Sequence, residues 1–332
     1  MDPSRRPRLT PAVADVRRAV RLALPDEGLV LVALSGGPDS LALAAATAFE
    51  AHRAGVRAGA IVVDHGLQTG SADVAARAVR QASDLGLEPV SSVRVVVDAE
   101  GGPEAAARTA RYVALDSAAK TANAAVVLLG HTLDDQAETV LLGLARGSGP
   151  TSLHGMAPVT TSASGVRYGR PLLGIRRATT HQFCIDSALA PWSDPQNSDD
   201  AFARVRVRDE VLPLLERELG PGIAEALART AEQLREDSDA LDHFAEEIAE
   251  ELADLAESGI SLPVGALANN PAALRQRLIR MAVESEFHVS LSRAQTLEVA
   301  RLVTNWHGQK ALDLPGVRVE RKGGLLIFTT NE

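Results

Sequence analysis

The 332-residue sequence contains a single cysteine, Cys184, so it can form neither an intramolecular disulfide nor a cysteine-rich metal site. Lysine is almost absent. Lys120, Lys310 and Lys322 are the three in the chain, and none stands in a Gly-Lys-Ser/Thr sequence, which excludes the loop that grips a β/γ-phosphate with lysine. Aromatic residues make up 3% of the chain, so its core has to be built from Ala, Val, Leu and Ile. No apolar run reaches the roughly 18 residues of a membrane span. The N-terminus, Met1-Asp2-Pro3-Ser4-Arg5-Arg6, lacks an apolar segment behind its charges, so a cytoplasmic protein without a secretory leader is expected.

The most informative segment is Ser35-Gly36-Gly37-Pro38-Asp39-Ser40, set between the apolar run 29–34 and the helix-like run 41–46. A buried strand, a Gly-rich turn and a helix N-terminus make an anion site, because free N–H groups and the helix dipole both favour negative charge. Gly36 and Gly37 let the backbone approach a phosphate, and Ser35 and Ser40 add hydroxyl donors. Asp39 can hold Mg²⁺ against the phosphates. That combination suits an enzyme that cleaves ATP between its α and β phosphates.

Net charge is −9, which argues against a nucleic-acid partner until its distribution is considered. Residues 225–257 carry 12 acidic residues against 2 arginines, which leaves the rest of the chain near +1. Arginines cluster at Arg5, Arg6 and Arg8, at Arg17, Arg18 and Arg21, at Arg170, Arg176 and Arg177, and at Arg204, Arg206 and Arg208. Such clusters attract phosphates if they share a face.

Three parts are predicted. In residues 1–218, strands at 29–35, 59–64, 90–97 and 124–130 alternate with helices at 39–53, 71–85, 103–122 and 132–146. This pattern implies an α/β fold with a parallel sheet covered on both faces. Ligands bind beyond the carboxyl ends of such strands, which places Ser35–Ser40, Asp64-His65-Gly66 and Gly130-His131 together. In residues 219–259, Leu227, Leu234, Leu241, Ile248 and Leu255 recur every seven residues, widened by Phe244 and Leu252, as in one long acidic helix over 221–258. Residues 260–332 read as a small α+β domain. Helices are predicted near 271–287 and 292–306, and strands near 310–314, 317–321 and 325–329.

Three further segments carry chemistry. Asp135 and Glu138 share a face near the start of the helix that follows Gly130-His131. They suit Mg²⁺ or an ammonium group, or else complement the helix dipole. Arg108 and Arg111 share a face of the helix after Glu104, with a solvated ion-pair face as the alternative. Residues 192–200 form a polar loop leading to Arg204, Arg206 and Arg208, which suit a phosphate backbone.

Together these segments resemble the tRNA(Ile)-lysidine synthases, a family of PP-loop ATP pyrophosphatases. The resemblance rests on Ser35–Ser40, Val63-Asp64-His65-Gly66-Leu67, Glu104–Tyr112, Gly130–Thr139 with Arg146-Gly147-Ser148-Gly149, Arg170-Pro171-Leu172-Leu173, and Asp194 to Pro213. It covers most of residues 28–215. Two departures stand out: Thr132 occupies a place where the family often has a second histidine, and Val205 one where it usually has asparagine.

The resemblance implies a Rossmann-like, adenine nucleotide alpha hydrolase domain, a long connecting helix and a C-terminal tRNA-binding domain. It also implies a two-step reaction. ATP adenylates O2 of cytidine 34 in the CAU anticodon of tRNA(Ile), and the ε-amine of free lysine then displaces AMP from C2. Asp39 is thereby assigned to Mg²⁺ and pyrophosphate, and Ser35, Gly36, Gly37, Pro38, Ser40, Asp64, His65, Gly66 and Gly130 to ATP. Asp135 and Glu138 go to lysine or metal, Arg108 to the phosphate or the cytosine oxygen, and His131 to charge near the adenylate. Arg111, Arg204, Arg206 and Arg208 are assigned to tRNA, with Arg275, Arg277, Arg280, Lys310 and Lys322 as basic candidates further on. A homodimer is compatible with this reading, and no membrane partner is implied.

Other readings remain at this stage. A tRNA thiolase of the same nucleotide-binding class needs cysteines, and Cys184 lies far in sequence from every motif. A small-molecule amidating ligase shares the phosphate turn without needing the arginines. A non-catalytic nucleotide sensor leaves Asp39, Asp135 and Glu138 without a role.

Overall fold

The computed structural model describes residues 9–64, 66, 70–95, 103–147, 149–193, 199–252, 254–256 and 259–331. The chain divides into two compact units, 1–233 and 234–332.

The first unit opens with α1 (Pro11–Ala23), capped by the Thr10 hydroxyl, and then alternates. The order is β1 (Leu29–Ala33), α2 (Pro38–Ala54), β2 (Arg57–Asp64), α3 (Ser71–Asp84), β3 (Val90–Arg94), α4 (Pro103–Thr121), β4 (Ala124–Leu128) and α5 (Leu133–Ala145). After these come α6 (Pro150–Leu153), β5 (Val159–Thr161), β6 (Arg167–Gly169), α7 (Arg177–Asp186) and α8 (Ala203–Arg206). A π-helical turn, Val207–Val211, joins α8 to α9 (Leu212–Glu218), and α10 (Ile223–Leu252) follows. The strand order is β3-β2-β1-β4-β6-β5, all parallel except β5, which pairs antiparallel to β6.

Alternation along β1 divides the core, as the period of two requires. Val30 and Val32 pack with α1, α2, α3 and α7, through Val16, Val20, Leu41, Ala78 and Phe183. Leu29 and Leu31 pack on the opposite face with Leu115 and Ala119 of α4 and with Tyr168. The chain runs outward from β1 to β2 and β3, then returns to lay β4 on the other side of β1. The crevice between the carboxyl ends of β1 and β4 is therefore the topological switch point, where ligands of such sheets bind.

In the second unit, five strands form an antiparallel sheet in the order β7 (Asp254–Ala256), β8 (Gly259–Pro263), β11 (Leu325–Thr329), β10 (Val317–Lys322), β9 (Leu312–Leu314). Helices α11 (Val264–Asn269), α12 (Ala272–Phe287) and α13 (Arg293–Thr304) share a core with it that includes Leu262, Leu267, Ile279, Val299, Val319 and Phe328.

Element positions in the first unit follow the sequence reading closely. The long helix is shorter than expected, ending at Leu252, and Asp254–Ala256 form β7. Strands β5, β6, β7 and β8 and helices α1, α7 and α11 are among the elements the sequence reading did not place. β7 pairs with the neighbouring β8, and β8 pairs in turn with β11 more than 60 residues away, as in Leu262↔Leu326, so no local signal marks that second pairing. Phe244, expected on the apolar face of the long helix, is exposed. No helix among the described residues is long and apolar enough to cross a membrane.

Candidate functional site

The phosphate turn leaves β1 and enters α2 with Gly36 at φ +84°, a left-handed conformation that an L side chain rarely adopts. Pro38 takes the first helical position, where its missing N–H costs nothing. Ser40 is turned inward: its Oγ accepts from the Ser35 N–H at 3.2 Å, donates to the Gly37 carbonyl at 3.0 Å and lies 3.0 Å from the Ser35 Oγ. It holds the turn in shape, while Ser35 stays exposed. The Trp192 N–H donates to the Gly36 carbonyl at 2.9 Å, so the segment before residue 194 closes one side of the turn.

Gly130 follows β4 and lies against this turn. A Cβ there would lie 3.1 Å from the Ser40 nitrogen and 3.2 Å from Asp39 C and Ser40 Cα. Its role is thus to let one backbone lie on another. Gly130→Ala should displace the start of α2 at a cost of roughly 1–3 kcal/mol and weaken ATP binding about tenfold. Nucleotide titration checks this; an unchanged affinity would show that the contact relaxes freely.

Three carboxylates and three guanidinium groups meet beside the turn. Asp39 projects from α2; its Oδ1 accepts from the Thr180 hydroxyl of α7, and its Oδ2 lies 3.7 Å from Arg177 Nε. Burial raises the Asp39 pKa and Asp135 adds to this, against the opposing pull of Thr180 and Arg177. Asp135 forms a capping box with Thr132, its Oδ2 accepting from the Thr132 N–H and hydroxyl, both at 2.8 Å. Its Oδ1 accepts from Arg177 at 2.8 Å. Burial works against its ionisation, but Arg177 and the two Thr132 donors outweigh burial and hold Asp135 below the usual carboxylate range.

Glu138 is fully buried. Its Oε1 accepts from Arg177 at 3.0 Å and Arg208 Nε at 2.9 Å, and its Oε2 from Arg208 Nη2 at 3.2 Å and Arg204 at 3.3 Å. Arg206 points away from this cluster, donating to the carbonyls of Asp200 and Ala201. Val205, at the position where asparagine was expected, is buried and apolar.

A second group lies where β4 and β6 end. His131 is surrounded by Arg108, Arg111 and Arg170. Burial, with those cations and against the pull of Asp135, lowers its pKa to about 4. The imidazole is therefore held neutral near pH 7. Its Nδ1 and the Arg170 Nε are buried without a hydrogen-bond partner. Arg108 stacks over Tyr112, 5.1 Å from its centroid. Arg111 is drawn in beside the same ring, and burial lowers its pKa.

The depressed His131 pKa has a measurable consequence. The unfolded chain binds this proton near pH 6.5 and the folded chain only near 4, so stability falls as pH drops through that window. His131→Asn should remove a loss of at most about 3 kcal/mol between pH 7 and 4. Parallel thermal melts of the two proteins test it; identical pH dependence would place His131 in solvent.

Asp64 lines an open groove of about 490 Å³ with Arg80, Ser92 and Arg94. It accepts from the Gly66 N–H at 3.0 Å and lies 3.2 Å from Arg94. His65, Ser148, residues 194–198 and the side chain of Glu104 lie outside the described residues. Among the second unit's basic candidates, Arg275 donates to the carbonyls of Leu267 and Asn270, and Arg277 pairs with Asp242 at 2.5 Å. Arg280 is half-buried, and Lys310 and Lys322 are exposed.

Sequence reasoning missed Arg177, Thr180 and Asp134 as site residues. Asp134 accepts from the Arg177 N–H at 2.7 Å and so ties α7 to α5. Only the Arg176-Arg177 pair gave any signal, and it was one arginine cluster among several. Cys184 proves close to the site, its Sγ donating to the Pro38 carbonyl. Burial pushes its pKa up to about 11, which leaves the thiol protonated and unsuited to sulfur transfer.

Known families match both parts of the chain. A PP-loop domain model matches residues 12–215, and a TilS substrate binding domain model matches residues 262–326. The tRNA(Ile)-lysidine synthase of Leifsonia xyli subsp. xyli is 65% identical over 301 residues, covering 90% of this chain and 89% of that protein. The enzyme of the same name from Thermobifida fusca is 52% identical, covering 94% and 95%. Among solved structures, the U34-tRNA thiolase NcsA from Methanococcus maripaludis superposes with a TM-score of 0.58 at 20% identity, covering 68% of this chain and 80% of that one, a likeness of fold.

Proposed function

Because this chain belongs to the tRNA(Ile)-lysidine synthase family, we propose that it joins free lysine to C2 of cytidine 34 in the CAU anticodon of tRNA(Ile) through an O2-adenylated intermediate. The observation that carries this reading is the placement of Asp39, Asp135 and Glu138 within one arginine-linked cluster beside the phosphate turn. In the first step the cytidine O2 attacks the α-phosphorus of ATP and the bond to pyrophosphate breaks. The turn's N–H groups and the α2 N-terminus hold the phosphates. In the second step an uncharged lysine amine attacks C2, AMP leaves with O2, and the proton lost from nitrogen passes to a carboxylate or to solvent.

Mg²⁺ fits this site. Among the described residues no three His, Cys, Asp or Glu side chains are arranged as a metal cage. Mg²⁺ at nucleotide sites takes one or two carboxylates plus phosphate oxygens and water, and Asp39 with Asp135 nearby offers that. When bound, the ion supplies charge neutralisation on the leaving pyrophosphate. His131 Nδ1 and Arg170 Nε, buried without partners, suit the edge or phosphate of a base drawn out of the anticodon stack. The second unit is assigned to the body of the tRNA, with Lys310 and Lys322 as exposed contacts.

The test is pyrophosphate release with ATP, lysine and each of several tRNAs. Release that needs tRNA(Ile) bearing CAU supports the proposal. Equal release without RNA would favour an amidating ligase.

A further inference from the structure

Glu138 has no lone pair left for a lysine ammonium. A carboxylate offers about four acceptor positions. Arg177, Arg204 and the two nitrogens of Arg208 fill four. Counted by formal charge, Asp39, Asp135 and Glu138 are balanced by Arg177, Arg204 and Arg208. An incoming cation must therefore displace a guanidinium group.

The three arginines are not equally held. Arg177 is anchored: its backbone N–H bonds Asp134, its side chain bridges Asp135 and Glu138, and α7 around it is seated by buried Thr180, Phe183 and Cys184. Arg204 and Arg208 are more accessible, with side chains 37% and 24% exposed against 17% for Arg177. They stand on the four-residue α8 and on the π-helical turn after it. Such turns are irregular and recur at functional sites.

We propose that Arg204 and Arg208 change partners during the reaction. In the free protein they neutralise Glu138; when phosphate groups arrive they pass to phosphate oxygens, for which guanidinium is a matched bidentate donor, and Glu138 is released to the lysine cation. The proposal rests on the reading above that the site takes lysine together with phosphate. It makes lysine and phosphate binding positively coupled, and linkage makes that coupling reciprocal. The phosphate belongs to ATP or to RNA, and the two are separable by experiment.

Lysine affinity is measured calorimetrically for the full chain alone, with an α,β-methylene ATP analogue, and with an anticodon stem-loop RNA. Wild type should bind lysine on the order of tenfold more tightly with one of these ligands than without. Whichever ligand produces the gain identifies the phosphate source. Arg208→Gln should bind lysine more tightly than wild type in the absence of phosphate, with the coupling reduced to about twofold or less. Glu138→Gln, which releases both arginines, should bind that phosphate ligand several-fold more tightly than wild type without lysine. Should Glu138→Gln not fold, the Arg208→Gln arm decides. Wild-type coupling retained in Arg208→Gln would overturn the exchange, as would phosphate affinity in a folded Glu138→Gln no higher than in wild type. Tighter phosphate binding by Glu138→Gln, with no lysine binding to wild type in any state, upholds the exchange and overturns the lysine reading instead.

Discussion

Asp39→Asn is expected to lower pyrophosphate release from ATP by about 100-fold or more while leaving the protein folded. Asparagine keeps an oxygen to accept from the Thr180 hydroxyl, so the link between α2 and α7 survives. What is lost is the negative charge next to the phosphate turn. A charge contact at a transferring phosphoryl group is worth on the order of 3 kcal/mol, about 100-fold in rate. Release is followed by a coupled pyrophosphate assay, with a thermal melt as control. Near-normal release in a folded variant would remove Asp39 from the metal and pyrophosphate role.

The largest stability effect is expected at Arg177. Arg177→Met preserves much of the volume but leaves Asp39, Asp135 and buried Glu138 without their common counter-ion. Breaking a buried pair from one side costs about 3–5 kcal/mol. For a unit of this size that corresponds to a fall of roughly 10 °C in Tm. The deficit also has a pH signature. Asp135 is held below its usual pKa, so its contribution is present above the normal carboxylate pKa and is lost as pH falls through the folded value. The gap between wild type and Arg177→Met should therefore narrow on acidification. A Tm within 2 °C of wild type at pH 7, on the order of 1 kcal/mol or less, would mean that the carboxylates are hydrated and that the cluster is not the buried network described here.

The alternating half of the fold is legible in the sequence because strands such as Leu29–Ala33 and helices such as Pro38–Ala54 carry their own periodicity and punctuation. The antiparallel sheet is less so. β8 is five residues ending in proline, and only its pairing with β7 and β11 makes it a strand. At the site, Asp39, Asp135 and Glu138 are readable because chemistry and local spacing coincide. Arg177 and Thr180 are not, since they reach the cluster only through the packing of α7 on α5 and α2, across 39 residues to Glu138 and 141 to Asp39. Roles also shift when neighbours appear. Ser40 becomes a brace within the turn, Gly130 a point of backbone contact, and Asp135 shares its carboxylate between the Thr132 cap and Arg177. A sequence lists donors and acceptors without saying which are already taken.

The thiolase likeness is instructive for the same reason. The two proteins share a fold at 20% identity, yet the one thiol here is buried, protonated and turned toward the Pro38 carbonyl. The chemistry belongs to the side chains set on the fold.

In the proposed reaction, ATP cleavage between the α and β phosphates attaches lysine to cytidine 34. It is tested most directly by incubating the protein with ATP, isotopically labelled lysine and unmodified tRNA(Ile), then digesting the RNA and weighing the nucleoside at position 34. The account predicts cytidine plus lysine minus water at that position alone, with one AMP and one pyrophosphate formed for each lysine attached. Label appearing elsewhere in the RNA, or product accompanied by ADP and orthophosphate, would contradict it.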